Sequence, residues 1–177
     1  MKGLLKSAIR DNNPVLSFES SRLMGFTGEV PEEDYTFPVG GAGVRREGSA
    51  VTVVALAWLV HEALAAAEEL DKEGVSVEVI DPRSLFPLDR ETIRTSVQKT
   101  GCLVVADEAG PTAGASAEIA ALVTEDAETF KSMTAPPKRV CALQVPIPYT
   151  PPLENHVFPD RNRIIAGIRE VMEFRSA

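Results

Sequence analysis

Two adjacent acids, Asp107 and Glu108, end an apolar run and open the stretch DEAGPTAGASAEI over 107–119. Paired carboxylates serve acid–base chemistry when they converge on a reacting group. No second acid cluster is in view to face this pair, so it reads as an anchor for the loop. The glycines of the loop, Gly110 and Gly114, fit neither G-x-G-x-x-G nor a P-loop with its Lys-Ser/Thr. Gly114-Ala115-Ser116-Ala117-Glu118 approaches G-x-S-x-G but lacks the last glycine. The loop before Ser116 is also too long for the sharp strand-to-helix elbow that exposes a nucleophile. A small hydrolase built on Ser116 is therefore disfavoured, and small residues that let a helix sit close to a sheet or a neighbouring subunit are the better reading.

The other chemically suggestive groups are weaker. Ser96-Val97-Gln98-Lys99 matches S-x-x-K and Lys99-Thr100-Gly101 matches K-T-G, but the β-lactamase motifs come from separate elements and here they share Lys99. Gly40-Gly41-Ala42-Gly43 has neither a strand before it nor a helix after it and reads as linker. His61 sits beside Trp58 with no nucleophile near it in sequence, so a surface or interface role is preferred. His156 has Glu154 and Asp160 close by, yet the spacing does not suggest three ligands for a metal. Cys102 and Cys141 lie inside apolar runs and read as buried free thiols. No convincing catalytic set emerges.

The elements that would position these residues are regular from Ser49 onward. Runs 51–57, 75–80, 102–106 and 139–145 read as strands that are apolar on both faces. Helices are expected over 58–72, 90–99 (capped by Asp89 and ended by Gly101), 115–128 and 160–174, each with an apolar stripe. This alternation predicts a three-layer α/β/α domain around a mostly parallel, mixed sheet of about five strands. Ahead of it, 2–10 reads as a helix with Leu4, Leu5, Ala8 and Ile9 on one face, and Val15–Phe18 as a short strand. Residues 21–48 show no periodicity and read as a linker. An isolated strand cannot satisfy its backbone groups alone, so residues 1–20 look like the tail of a preceding domain.

The chain has 177 residues and a formal net charge of -8, with 44% apolar residues. That acidity disfavours nucleic acid, whose binding rests on Lys and Arg meeting phosphates, and suits a basic protein partner. The N-terminal sequence lacks a signal-like apolar region and no apolar run reaches a membrane span, so a cytoplasmic protein is expected.

Several in-register runs resemble one family: KGLLKSAIRDNNPV, GEVPEEDYTFPVG, VRREGSAVTVV, VHEALAAAEEL, VSVEVIDPRSLFPLDRETI, KTGCLVVADEA and VPIPYTPPLE. They are similar to the β subunit of thiamine-diphosphate-dependent 2-oxoacid dehydrogenases, a group that includes the pyruvate, branched-chain 2-oxoacid and acetoin components. The resemblance implies a transketolase C-terminal domain over 49–177, a linker over 21–48, and the last helix and strand of a pyrimidine-binding domain over 1–20. It also implies a non-catalytic assembly and partner-docking role. The cofactor-activating glutamate and catalytic histidine lie upstream in the family, and the diphosphate and magnesium are held by the α subunit. No catalytic, cofactor-binding or metal residue is carried over to this chain. The implied partners are the α subunit, a second β subunit, and the small basic subunit-binding domain of the lipoyl acyltransferase. Glu125, Asp126 and Glu128 are the candidates for that last contact. A homodimer in isolation, and a free-standing interaction module without dehydrogenase activity, are the alternatives. The chain departs from the family pattern at Phe86, at Gly41-Ala42-Gly43, and in the loop, where Gly110-Pro111 and Ala115-Ser116 are unusual.

Overall fold

The computed structural model describes residues 1–176, with side chains through Arg175. Five strands form one sheet: β1 (Gly43–Arg46), β2 (Val51–Ala55), β3 (Val77–Asp81), β4 (Leu103–Asp107) and β5 (Lys138–Cys141). Their spatial order is β1-β3-β2-β4-β5, with β1 antiparallel to β3 and every other pairing parallel. Seven helices accompany them: α1 (Lys2–Arg10), α2 (Leu59–Asp71), α3 (Arg90–Thr100), α4 (Ala115–Thr124), α5 (Ala127–Ser132), α6 (Pro151–Val157) and α7 (Arg161–Ser176).

The period-2 geometry of the strands sorts the core into two halves. Val51, Val53, Ala55, Val79 and Val104 face α2 and α7, against Leu59, Ala63, Leu70, Ile164 and Ile168. Val54, Ile80, Leu103 and Val105 face α3 and α4, against Ile93, Val97, Ile119 and Leu122. Burying each large side chain of this kind stabilises the fold by about 1.5–3 kcal/mol. The three-layer α/β/α architecture expected from the alternating pattern is the one observed. Asp89 caps α3 by accepting from the Thr92 N–H at 3.1 Å, and Gly101 ends it at φ 73°, the left-handed conformation that glycine adopts without strain.

Four expectations need correction. Val15–Phe18 is not a strand: it has no regular structure and none of its backbone groups meets a partner among the described residues. The stretch 21–48 is not wholly linker, because Gly43–Arg46 forms the edge strand β1; four residues with two arginines carry too little apolar signal to read as a strand. The helix expected over 115–128 is two helices, since Asp126 starts α5 by accepting from the Thr129 N–H at 2.9 Å. Between the runs expected at 139–145 and 160–174, where no element was expected, the chain forms α6, with Pro151 and Pro152 in its first turn where a missing N–H costs nothing.

The buried polar side chains of the core are paired, whereas the buried Nε atoms of the half-buried Arg46 and Arg94 have no partner among the described residues. The Thr52 hydroxyl lies 2.6 Å from that of Ser96 and 2.7 Å from that of Thr100, joining β2 to α3. Glu78, 2% exposed, meets the Lys99 ammonium and accepts from the Gly48 N–H at 3.1 Å. Burial pushes its carboxyl upward, but Lys99, Ser96 and the Gly48 N–H outweigh it, leaving the group below its ordinary range. A depressed carboxyl contributes stability above its unfolded pKa, and that contribution is lost as pH falls through the folded value. Lys99→Met should therefore cost about 1–3 kcal/mol at pH 7, below the range for fully buried pairs because Lys99 is partly exposed. Urea melts at descending pH should show the gap to the parent chain closing below about pH 4; a constant gap would disprove this account.

Candidate docking surface at the C-terminal edge of the sheet

In a parallel sheet the place to look for ligands is the crevice where strand order reverses, at the carboxyl ends of the strands. Here the chain passes from β2 to β3 on one side and then to β4 on the other, so the reversal lies between β2 and β4. Asp107 ends β4 at this point. Its Oδ1 accepts from the Ala109 N–H at 2.9 Å and its Oδ2 from the Ser116 N–H at 2.9 Å. The head of α4 is a natural anion site, and the protein fills it with its own carboxylate. Gly114 makes the closure possible. A Cβ there would meet the Gly110 carbonyl oxygen at 2.6 Å and Asp107 Oδ2 at 3.0 Å.

The remaining suspects take structural places. Ser116 is fully buried with its Oγ 3.3 Å from Cys141 Sγ, so it is no exposed nucleophile. Ser96 is committed to Thr52, and Lys99 to Glu78 and, at 3.3 Å, Glu47. The Gly40–Gly43 turn is tied down by the Ala42 N–H, which donates to Asp89 Oδ2 at 2.9 Å. His61 stacks on Phe26 with centroids 4.6 Å apart, and His156 lies exposed on α6. No group of three or more His, Cys, Asp or Glu that could hold a metal ion occurs among the described residues.

What the edge does present is apolar surface. A shallow groove of about 420 Å³ runs between the loop after β4 and the segment after β5, lined by Glu108, Gly110, Leu143, Val145, Ile147 and Val157. Leu143, Val145, Ile147 and Tyr149 alternate along this segment, with exposures rising from 40% to 99%. Pro146 and Pro148 sit between them and restrict the backbone at low entropic cost. The strand expected over 139–145 stops at Cys141, and Arg163 holds the turn by donating to the Cys141 and Val157 carbonyl oxygens.

Sequence reading missed the strap that crosses this edge. Arg22 lies over the Phe158 ring at 4.6 Å and pairs with Glu154 at 3.5 Å. Four residues on, Phe26 packs on Trp58 at 5.6 Å, and further along Arg83 lies over Phe37 at 4.9 Å. The contacts thus run from the β5 side past β2 to the β3 side. They join residues as many as 136 positions apart, and no local pattern in an aperiodic segment announces them.

The three acids singled out for partner contact sit at the opposite, N-terminal edge, at the junction of α4 and α5. Asp126 is used internally, accepting from Thr129 and pairing with Arg94 at 3.6 Å, and the Thr129 hydroxyl and N–H hold its carboxyl below its ordinary range. Glu125 and Glu128 remain exposed, Glu128 with Lys131 at 2.8 Å.

Comparison with known proteins places this geometry. Residues 40–164 match the model of the transketolase C-terminal domain. The chain is 43% identical over 171 residues to the acetoin:2,6-dichlorophenolindophenol oxidoreductase subunit beta of Bacillus subtilis (strain 168), covering 97% of this chain and 49% of that protein. It is 44% identical over 174 residues to the pyruvate dehydrogenase E1 component subunit beta of Staphylococcus aureus (strain Mu50), covering 98% and 53%. Its identity to the 2-oxoisovalerate dehydrogenase subunit beta of Bacillus subtilis (strain 168) is 40% over 175 residues, covering 98% of this chain and 53% of that protein. The chain thus spans about half the length of the curated relatives it matches. Among solved structures, a split-gene transketolase described as an inactive beta4 tetramer superposes with a TM-score of 0.69 at 28% identity, covering 84% of this chain and 46% of that one.

The groove's one acid supplies a test. Burial raises the Glu108 carboxyl, Arg22 opposes that shift and Asp107 adds to it, with a net rise. A raised carboxyl contributes stability below its unfolded pKa that is lost as pH rises through the folded value. Glu108→Gln should therefore melt above the parent chain at pH 7 and level with it at pH 3.5, by calorimetry. A variant less stable at pH 7 would show that Glu108 holds the edge together as a carboxylate.

Proposed function

The chain belongs to the transketolase C-terminal domain family, and from that premise we propose that it is the assembly and docking domain of the β subunit of a thiamine-diphosphate-dependent 2-oxoacid or acetoin dehydrogenase. The whole complex would decarboxylate its substrate and pass the acyl group to a lipoyl acyltransferase. The observation that carries this reading is the match of about 43% identity over 97% of the chain to a subunit twice as long. In this reading residues 1–20 belong structurally to the preceding pyrimidine-binding domain, the stretch from 21 to the start of β1 bridges the two domains, and the transketolase C-terminal-like domain runs from β1 onward.

Thiamine diphosphate and magnesium belong to the assembled complex in this reading. The donor set of this chain does not fit them: Asp107 occupies the head of α4, and the described residues hold no cluster of three metal-ligating groups. No step of the reaction is assigned to the chain. Its contribution is geometric, holding neighbouring subunits through the apolar C-terminal edge while the acidic junction stays open to a basic partner. The α subunit, a second β subunit and the acyltransferase subunit-binding domain are the proposed partners, in the cytoplasm.

The chemistry of the acidic junction suits a small basic domain, and a net charge of -8 favours its approach. Glu125 and Glu128 are the residues to test, because altering Asp126 would also remove the cap of α5. Titration calorimetry of the chain with the acyltransferase subunit-binding domain should give binding that the double variant Glu125→Lys/Glu128→Lys weakens by roughly tenfold or more. The same instrument should register no micromolar binding of thiamine diphosphate with magnesium. Micromolar cofactor binding, or docking indifferent to both glutamates, would count against this function or this site respectively.

A further inference from the structure

The acids that this fold withdraws from water are matched by their own neighbours. Glu78 meets Lys99, and Asp107 takes the N–H groups of Ala109 and Ser116. Among the half-buried acids, Glu62 accepts from the Arg161 N–H, Asp81 from the Arg83 N–H, Asp89 and Asp126 cap helices, and Glu154 pairs with Arg22. Glu108 is the exception. It is half-buried just past the end of β4, and its carboxylate has neither a hydrogen bond nor an ion pair among the described residues. Arg22 acts on it electrostatically without pairing, since that guanidinium is engaged by Glu154 at 3.5 Å and lies over the Phe158 ring at 4.6 Å. A carboxylate drawn partly out of water without a partner costs free energy that a cation would recover.

This unmatched acid lines the groove of about 420 Å³, whose other walls are mainly aliphatic and hold no Lys, Arg or His. The groove cannot act as a template for an added strand. The Leu143 and Val145 N–H groups already donate to the Val157 and Leu143 carbonyl oxygens, and Pro146 and Pro148 have none to offer. Recognition must therefore come from side chains. An apolar trough ending in one carboxylate suits a lysine, whose alkyl stem buries while its ammonium keeps a polar partner. A guanidinium suits it less, because five donors would face one carboxylate and few other acceptors. A volume toward the small end of ligand sites matches one long side chain and its immediate neighbours. None of this chain's own lysines, at 2, 6, 72, 99, 131 and 138, lies between two aliphatic residues, so a second copy does not offer the matching segment.

We propose that this groove is a lysine-docking site for a different subunit, whose segment sets one lysine ammonium against Glu108 and the aliphatic residues beside it against Leu143, Val145 and Ile147. This occupancy rests on the reading of the C-terminal edge as the surface that holds neighbouring subunits, and it specifies what such a subunit must present. The net charge of -8 favours approach of the cation. The other charges near Glu108 are already committed: Asp107 to two N–H groups, and Arg22 and Glu154 to each other. The carboxyl of Glu108 stands above its ordinary range because of burial. Only its ionised form attracts an ammonium, so affinity should rise as pH rises through its folded value.

The test titrates the full chain with acetyl-Val-Lys-Val-amide, and with the same peptide carrying norleucine in place of lysine, and follows the amide resonances. Shifts should concentrate at 108–110 and 143–147. The lysine peptide should bind about fivefold more tightly than the norleucine peptide at pH 7, and that preference should disappear at about pH 4. Glu108→Gln should remove the preference while leaving norleucine binding unchanged, and Ile147→Ser should weaken both peptides. Equal binding of the two peptides, a preference that survives Glu108→Gln, or no groove shifts at millimolar peptide overturns the proposal. Groove shifts in the chain alone that grow with its concentration would make a second copy the occupant and overturn it as well. Acyltransferase-domain binding that persists while the groove ignores lysine would remove this site and leave the functional reading standing. A lysine-selective groove on a chain that fails to bind that domain would do the reverse.

Discussion

The carboxylate of Asp107, set against the N–H of Ser116 at the head of α4, governs what the C-terminal edge of this sheet can do. Parallel α/β sheets concentrate helix N-termini at that edge, and the partial positive charge there commonly holds a phosphate or a substrate carboxylate. Here an internal carboxylate stands in that place, itself 4% exposed, at the point where strand order reverses. The same contact orders the 109–114 loop, because Asp107 Oδ1 takes the Ala109 N–H while Oδ2 takes that of Ser116. With the crevice closed from within, the free chemistry of the edge shifts outward to apolar surface, along Leu143, Val145 and Ile147.

That shift explains why so much large apolar surface survives on an otherwise well-packed molecule. The two halves of the core are complete: the central strands β2, β3 and β4 are buried on both faces and the helices that cover them leave few central positions wet. Exposed Leu, Ile and Phe gather instead on α1, at residues 15–18, on the strap, at the turn of Leu85–Phe86 and from the segment after β5 into α6, with Phe130 and Phe174 standing apart on α5 and α7. Scattered exposed apolar residues need no explanation, whereas contiguous ones mark contact surfaces. The strap over the C-terminal edge is held by rings and charges, Arg22 on Phe158 and Phe26 on Trp58, rather than by a core of its own. Such contacts are worth less than burial.

Most of the fold was legible in the sequence because its signals are local. Both-face apolar runs located β2, β3 and β4, and Asp89 and Gly101 marked the ends of α3 by the capping chemistry they perform. The misreadings have physical causes of the same scale. Val15–Phe18 carries the composition of a strand, but pairing is a property of two segments, and no described residue pairs with this one. The strand β1 is short, polar and at an edge, so its pairing with β3 supplies the order that its residues do not. Helix periodicity ran on through Glu125–Asp126, where a capping carboxylate restarts the count. Of the surface, the acidic junction was visible as composition, but the internal use of Asp126 was not, since Arg94 reaches it only through the packing of α3 against its neighbours. The groove and the strap were invisible, because both are made by residues far apart in the chain.

The separation of the two surfaces has an energetic consequence. The acidic junction of α4 and α5 lies at the N-terminal edge of the sheet, where Gln98 donates to Thr129 at 3.0 Å and the Thr134 N–H donates to the Gly101 carbonyl oxygen at 2.8 Å. The apolar groove and the strap lie at the other edge, with the full length of β2 and β4 between. Perturbations so far apart with no shared partners add independently. Coupling between them would require an intervening element with two discrete arrangements. The intervening material is instead a sheet whose central strands are fully buried, with the Thr52 hydroxyl of β2 bonded to those of Ser96 and Thr100 on α3. Such a core resists partial rearrangement, since each of those hydroxyls would lose its partner where water cannot replace it. Binding at one edge should therefore leave affinity at the other unchanged.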